Sequence, residues 1–195
     1  MKSTRGKASS PAAAANLQLR MELKWIEPVI WRRLVIPANI TLGRLHRVIQ
    51  AVMGWTDSHL HEFMIAGEHY GFADADEELL PYRVIPETRV RLDAALQRNK
   101  TFDYLYDFGD SWEHQLRVEN TLPGAPLRHP ICIGGECASP PEDVGGPPGY
   151  ADFLRIILDA KDPEHEETLQ WCGGAFDPTF FDIDLVNRLL KRFKL

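Results

Sequence analysis

The chain has 195 residues, of which 44% are hydrophobic, and a formal net charge of −6. A chain of this length buries about 70% of its unfolded surface, so its core needs neither disulfides nor a structural metal. The negative charge disfavours general binding to nucleic-acid backbones, and no apolar run reaches the roughly 20 residues of a membrane-spanning helix. Three cysteines are too few for a disulfide framework, and we expect a cytoplasmic protein with no membrane partner.

Residues 1–16 differ in composition from the rest of the chain. They are small and polar, include a run of four alanines, and carry three basic residues but no acid. This composition predicts a disordered leader, since the apolar run of a secretory signal is missing. Residues 17–195 are then expected to form a single domain with 19 basic and 28 acidic residues.

The first half of the predicted domain combines a hairpin with a helix. Strict apolar–polar alternation over residues 17–25 predicts a strand, and residues 30–36 follow as its hairpin partner. Thr41 is predicted to cap a helix that ends at Gly54. The apolar stripe of this helix, which we expect to pack on the sheet, consists of Leu42, Leu45, Ile49, Val52 and Met53.

Two further hairpins and a set of helices complete the predicted domain. The hairpins are expected at residues 61–72 and 101–119, with a short helix at 93–97 between them. Helical stripes predict three helices after residue 149. This order predicts an α+β fold whose mainly antiparallel sheet is built from hairpins, with one early packed helix and C-terminal helices.

Residues 121–149 show no periodicity and exceed the roughly 12–15 residues of an ordinary loop. Their prolines and paired glycines restrict the backbone to a specific path. We therefore expect an ordered wall against the hairpin at 101–119. Its acids Glu142 and Asp143 are predicted to lie near backbone amides or the face of Trp112 and His114.

The predicted turn at residues 106–114 is rich in polar groups. Asp107, Asp110 and His114 are candidates for an acid/base or metal-binding group, because a turn between strands brings side chains together. The same residue types are common in purely structural turns, where Asp accepts hydrogen bonds from its own backbone. Both interpretations stay open.

Two spacings elsewhere resemble metal-ligand pairs. His59 and His61 would point to one face of a strand, as paired ligands must, but polar residues at a strand entrance have the same spacing. Cys132 and Cys137 lie within reach of one ion, although no second cysteine pair accompanies them. Neither pair by itself predicts a metal site.

Four motifs occur in a distinctive order: Trp31-Arg32-Arg33, the segment 53–63 with its His59-Leu60-His61, the turn 106–114, and the Gly/Pro segment 140–150. Together they resemble the plasmid pRiA ORF-three-like family, from Leu17 to the C-terminus. Some members carry the label insertion-element passenger TnpR. The resemblance implies a compact α+β fold and no established activity or cofactor. Similar members usually have cysteines where this chain has Ser139 and Val144, so a family metal site that uses those thiols is not expected here.

The sequence favours a non-catalytic binding or interaction module without a cofactor. Its groove would lie between the 106–114 turn and the 140–150 segment, with aromatic rings beside carboxylates. Such a surface suits a protein, a peptide or a cationic small molecule. The candidate groove residues are Trp55, His59, His61, Tyr106, Asp107, Asp110, Trp112, His114, Glu142, Asp143 and Tyr150.

Two other functions stay open. A metal-dependent hydrolase, with phosphoesterase or nuclease activity as candidates, would hold a divalent ion with His59, His61, Asp107, Asp110 and His114. A nucleic-acid-binding accessory of a mobile element would need a basic patch formed by Arg20, Arg32, Arg33, Arg44 and Arg47. Resolvase activity is not expected, because residues 131–169 contain nine acids and two bases.

Overall fold

The structure, a computed structural model, describes residues 16–72 and 82–193. Within these ranges the chain forms one sheet flanked by helices, which confirms the predicted α+β class. Asn16 is the first residue of the first strand, and the rest of the predicted leader lies outside the described residues. None of the helices in the described ranges has the length and apolar character needed to cross a membrane.

The sheet contains eight strands in the described residues, in the order β5-β4-β3-β6-β7-β1-β2-β8. Only β4 and β5 run parallel; all other neighbours are antiparallel. The strands are β1 (Asn16–Leu23), β2 (Trp31–Pro37), β3 (His61–Ile65), β4 (Glu68–Gly71), β5 (Val84–Pro86), β6 (Thr101–Tyr106), β7 (Trp112–Leu122) and β8 (Ile131–Glu136). The helices are α1 (Leu42–Met53), α2 (Leu92–Leu96), α3 (Gly146–Leu158), α4 (His165–Trp171) and α5 (Ile183–Leu190), and Glu87–Arg89 form a 3₁₀ turn.

The first hairpin and helix form as the sequence predicts. β1 and β2 pair antiparallel, with Leu19 opposite Leu34, and the apolar stripe of α1 is buried in the core. The helix ends at Gly54, whose φ of 74° lies in the left-handed region that favours glycine. Thr41 occupies the N-cap position, but its side chain makes no capping hydrogen bond.

Two strands lack a recognisable sequence pattern. β5 has three residues, too few to show alternation. β8 lies inside residues 121–149, which we expected to be irregular, and its pair Gly134 and Gly135 removes the apolar signal. A Cβ at Gly135 would lie 2.6 Å from the Phe181 ring, so close packing requires glycine at this position. The same glycine removes the apolar pattern by which the strand could be recognised in the sequence.

β8 forms one edge of the sheet, and α5 covers it. The Asn187 side chain donates to the carbonyl oxygen of Cys132 over 2.8 Å and accepts from the Cys132 amide over 2.9 Å. The side-chain amide of Asn187 therefore satisfies the backbone donor and acceptor of Cys132, to which a further strand would otherwise bind.

Arg32 projects from β2 into the interior and is 2% exposed. Burial lowers the pKa of Arg32 to about 10, which still leaves its guanidinium charged at neutral pH. No carboxylate among the described residues pairs with it; the nearest such pair on β2 is that of Arg33 with Glu119. The guanidinium lies 4.1 Å from the centre of the Phe181 ring. It donates to the Ser139 hydroxyl and to the carbonyl oxygens of Trp31, Val52, Glu136 and Cys137. One charged side chain thus joins β2, the end of α1 and the segment after β8.

Candidate functional site

The connection between α1 and β3 brings polar side chains to one end of the sheet. A cavity of about 600 Å³ opens beside this connection. Its walls come from α1, from the connection itself and from the 3₁₀ turn before α2. The lining residues are Thr41, Gly43, Arg44, His46, Arg47, Asp57, Ser58, His59, Leu60, His61, Phe72, Glu87 and Thr88.

Two histidines and two carboxylates meet in this cavity. His46 from α1 and His61 from β3 stack face to face, with ring centres 3.5 Å apart and planes inclined by 4°. Asp57 Oδ1 lies 2.7 Å from His46 Nε2, and Glu87 Oε2 lies 2.9 Å from His61 Nε2. Ligand atoms of His46, Asp57 and His61 all lie within 4.8 Å of one another, close enough to bind one metal ion. We call these three residues the histidine cluster.

A buried hydrogen-bond network fixes the histidine cluster from behind. The Tyr104 hydroxyl lies 2.8 Å from His46 Nδ1, and Gln50 donates to the same hydroxyl over 3.1 Å. The side-chain oxygen of Gln50 accepts from the Asp57 amide over 3.1 Å. Gln50 therefore positions both a histidine and a carboxylate of the cluster, as the outer residues of metal sites do.

The protonation of the network follows from burial. Desolvation, with the nearby His61 as a further cause, lowers the pKa of His46, so its ring is neutral at neutral pH. Burial raises the pKa of Tyr104 well above its ordinary value, so the hydroxyl keeps its proton. Since Gln50 donates to the Tyr104 oxygen, the hydroxyl hydrogen is left for His46 Nδ1. The ring proton then lies on Nε2, opposite Asp57.

A second cluster joins the β6–β7 turn to the Gly/Pro segment. His59 Nδ1 lies 3.6 Å from Asp107 Oδ2, and His59 Nε2 lies 3.1 Å from Asp143 Oδ1. The second approach lacks hydrogen-bond geometry, so this nitrogen has no hydrogen-bond partner in the described part of the chain. Asp107 Oδ1 accepts from the amides of Gly109 and Asp110, as in an ordinary structural turn.

The segment 140–150 is ordered and lies against the β6–β7 turn, as the sequence predicts. Glu142 accepts from the Thr56 amide over 3.0 Å and from the Tyr106 hydroxyl over 2.6 Å. Trp55 Nε1 donates to the Pro140 carbonyl over 2.9 Å, and the Gly145 amide donates to Asp110 over 3.1 Å. The expected contact between an acid of this segment and a backbone amide is therefore present at Glu142.

Gly146 allows this close approach, and its replacement by alanine is expected to lower the free energy of unfolding. Its φ is +67°, and an added Cβ would lie 2.2 Å from the Asp110 carbonyl oxygen. Gly54 has a similar φ of +74°, but no atom lies within 4 Å of a built Cβ. We expect Gly54→Ala to cost about 1 kcal/mol from backbone strain and Gly146→Ala about 1–3 kcal/mol more. Urea unfolding of both variants measures the difference, and equal losses would contradict the steric explanation.

The predicted acidic–aromatic groove is wrong, because its aromatic side chains are in the core. The four side chains are at most 7% exposed: Trp55, Tyr106, Trp112 and Tyr150. β6 and β7 turn this face toward the interior, and Trp55 stacks on Tyr106 with ring centres 4.9 Å apart. Among the carboxylates of the predicted groove, Asp143 is exposed, Asp110 and Glu142 are half-buried, and Asp107 is buried.

The five predicted metal ligands do not converge on one point. His59 and Asp107 come together, but with Asp143 as their third member, and His61 joins His46 and Asp57 instead. Asp110 binds the Gly145 amide. His114 is fully buried, donates from Nδ1 to the Trp112 carbonyl over 3.0 Å, and has no partner for Nε2 in the ranges described. Its strand position directs it into the core rather than toward His59.

The predicted basic patch is also not formed. Arg32 is buried, Arg20 pairs with Glu22, and Arg33 binds Glu119 over 2.7 Å. Strand alternation turns Arg32 away from Arg33, whereas Arg33 lies directly opposite Arg20 on the same face of the sheet, where both have carboxylate partners. Of the five arginines, Arg44 and Arg47 share one surface, at the exposed side of α1.

Sequence reasoning missed His46, Gln50, Asp57, Glu87 and Tyr104. A signal was present for the first two, because both fall on the buried face of α1, His46 four residues after Leu42 and Gln50 three residues before Met53. Polar residues on a buried helix face need hydrogen-bond partners and are therefore candidates for a site. Glu87 follows the residues 73–81 that the structure does not describe, and no pattern marks it.

Residues 15–185 match the family model described as plasmid pRiA4b ORF-3-like protein. The chain belongs to this family. The uncharacterized protein y4hQ of Sinorhizobium fredii is similar in sequence to this plasmid pRiA4b ORF-3-like chain. The two are 43% identical over 178 residues, which cover 90% of each chain. A similar solved structure is that of MM3350, a protein of unknown function from Methanosarcina mazei Go1. It has a TM-score of 0.76 and 38% identity, and the match covers 87% of this chain and 96% of that one. The MM3350 structure supports the fold of this plasmid pRiA4b ORF-3-like protein, and neither relative's name states an activity.

Proposed function

We propose that this protein is a metal-dependent hydrolase whose divalent ion is bound by the histidine cluster. The observation that carries the proposal is the approach of ligand atoms from His46, Asp57 and His61 to within 4.8 Å of one another in an open cavity. Two imidazoles and one carboxylate, with space left for a water molecule, are the ligand set of many catalytic zinc sites.

The surroundings of the cluster support this assignment. Glu87 is hydrogen-bonded to His61 Nε2 over 2.9 Å, and a carboxylate–histidine pair of this kind orients the ring so that Nδ1 can serve as the ligand. His46 is neutral at neutral pH because burial lowers its pKa, and a neutral imidazole is the form that binds metal. His46 Nε2, which donates its proton to Asp57 in this structure, would hold the ion in place of that proton.

A bound ion supplies hydrolytic chemistry by lowering the pKa of a coordinated water to about 7. His46, Asp57 and His61 would hold the ion, and its coordinated water would supply the nucleophile for ester hydrolysis. The cavity opens to solvent, and the carboxylate of Asp57, a member of the histidine cluster, is exposed in it. Nothing in this scheme requires the aromatic residues that the sequence pointed to.

The proposal predicts one bound ion per chain and an activity that depends on it. Calorimetric titration of the full chain with Zn²⁺ or Mn²⁺ is expected to show a single site that His46→Ala weakens by at least about 100-fold. Gln50→Leu, which removes support without removing a ligand, is expected to weaken binding by roughly 10- to 100-fold. The rate of p-nitrophenyl phosphate hydrolysis is expected to fall most in His46→Ala and less in Gln50→Leu.

A matched control is His69→Ala, since His69 pairs with Glu62 on β3 and lies outside the cavity. This variant is expected to bind metal and to hydrolyse the ester like the parent protein. Failure of the parent protein to bind an ion, or equal binding by His46→Ala, would overturn the proposal. Metal binding without turnover of any ester would overturn the hydrolase assignment while leaving the ion site.

A further inference from the structure

A second cavity lies on the other side of two arginines that line the first. It has a volume of about 680 Å³ and is formed between α1 and the end of α5. Arg44 and Arg47 line both cavities, whereas Arg192 lines the second one alone. The two α1 arginines are three residues apart and so lie on one face of the helix. We call the second cavity the arginine groove.

The arginine groove is positive although the chain as a whole is negative. Its lining contains three arginines and no acidic residue. Among the residues that the structure describes, none of these three guanidinium groups forms an ion pair, whereas Arg188 of α5, which does not line the groove, lies 3.9 Å from Asp182. Three guanidinium groups around one cavity raise the local concentration of anions.

The remaining lining of the groove is apolar. Ala51, Leu189 and Phe193 stand beside the arginines, and the edge of the otherwise buried Trp55 forms part of the wall. A guanidinium binds a phosphate through two parallel hydrogen bonds and also stacks on flat rings. A ligand that satisfies this lining carries a phosphate group and an apolar or planar group. The volume is within the range of about 300–1,000 Å³ for small-molecule sites.

From this geometry we infer that the arginine groove binds a small organic phosphate of nucleotide size. The phosphate lies on Arg44 and Arg47, and the planar group rests on the wall formed by Leu189 and Phe193. His46 lies between the two arginines in sequence and belongs to the neighbouring cavity. A phosphate on this arginine pair is therefore beside the histidine cluster. The inference rests on the proposed function only in naming phosphate esters as the substrate class of that cluster.

Binding can be tested without any metal. Adenosine monophosphate, adenosine and inorganic phosphate are titrated calorimetrically into the full chain in the presence of a chelator. The monophosphate is expected to bind saturably and about tenfold or more tightly than either fragment, because only it fills both parts of the groove. Arg44→Gln and Arg192→Gln are each expected to weaken its binding by roughly tenfold, and Arg188→Gln is the matched control without effect.

The outcomes separate the two proposals. Unchanged binding in Arg44→Gln and Arg192→Gln, or equal binding of adenosine and its monophosphate, overturns the groove assignment whatever the metal titration shows. His46→Ala is expected to keep full affinity for the monophosphate. If it does so while the parent chain binds no ion, the groove stands and only the hydrolase assignment fails.

Discussion

Replacing Arg32 by methionine is expected to lower the free energy of unfolding by about 3–5 kcal/mol. The side chain is 2% exposed, and its guanidinium donates to four carbonyl oxygens and one hydroxyl. Methionine keeps much of the apolar stem but leaves these acceptors buried without donors, each at a cost of about 1–3 kcal/mol before relaxation. The loss is therefore larger than that of an ordinary surface charge.

The neighbouring residue provides the control. Arg33 points to the opposite side of β2, where it is half-buried and binds Glu119 over 2.7 Å. Arg33→Met is expected to cost less than about 1 kcal/mol, since pairs near solvent contribute little. Urea unfolding at neutral pH measures both variants. Similar losses for the two arginines would show that the buried hydrogen bonds of Arg32 contribute no more than a surface ion pair.

The second large effect concerns pH and arises from His114. Complete burial is the main cause that lowers the pKa of His114 from 6.5 to about 4 in the folded protein. Between these two pH values the unfolded chain binds a proton that the folded chain does not. The free energy of unfolding contributed by the neutral ring is therefore fully present above pH 6.5. It is lost as the pH falls toward 4, by about 3 kcal/mol in total.

His114→Leu removes this titration and is expected to flatten the stability profile between pH 6.5 and 4 relative to the parent protein. The variant also loses the hydrogen bond to the Trp112 carbonyl, but that loss does not depend on pH. His69→Leu replaces a half-exposed histidine and should keep the steep profile. Parallel profiles for the parent protein and His114→Leu would show that the ring is not held neutral by burial.

Much of the fold was accessible from local patterns. Strict alternation located β1, and a helical stripe ending in glycine located α1, because each pattern depends only on which face of the element is buried. β8 escaped because Gly135 is required by contacts with Phe181 and Arg32, which lie far away in sequence. A short edge strand of this kind is defined by its neighbours rather than by its own composition.

The candidate site was only partly accessible for a related reason. The sequence drew attention to His59, His61 and Asp107, yet it could not show that His61 joins His46 while His59 joins Asp143. That partition depends on how the α1–β3 connection turns, including the left-handed backbone at Asp57, where φ is 61°. The aromatic residues were noticed for their density, but density marks a core as readily as a surface.

The Asn187 contacts with Cys132 have a consequence for how the protein behaves at high concentration. An open sheet edge is a template on which another chain can add a strand and begin to aggregate. At the β8 edge, the amide of Asn187 already occupies one donor and one acceptor of the backbone. At the opposite edge, β5 is three residues long and ends in Pro86, which has no amide hydrogen to offer. Both ends of the sheet are thus poor starting points for intermolecular strand addition.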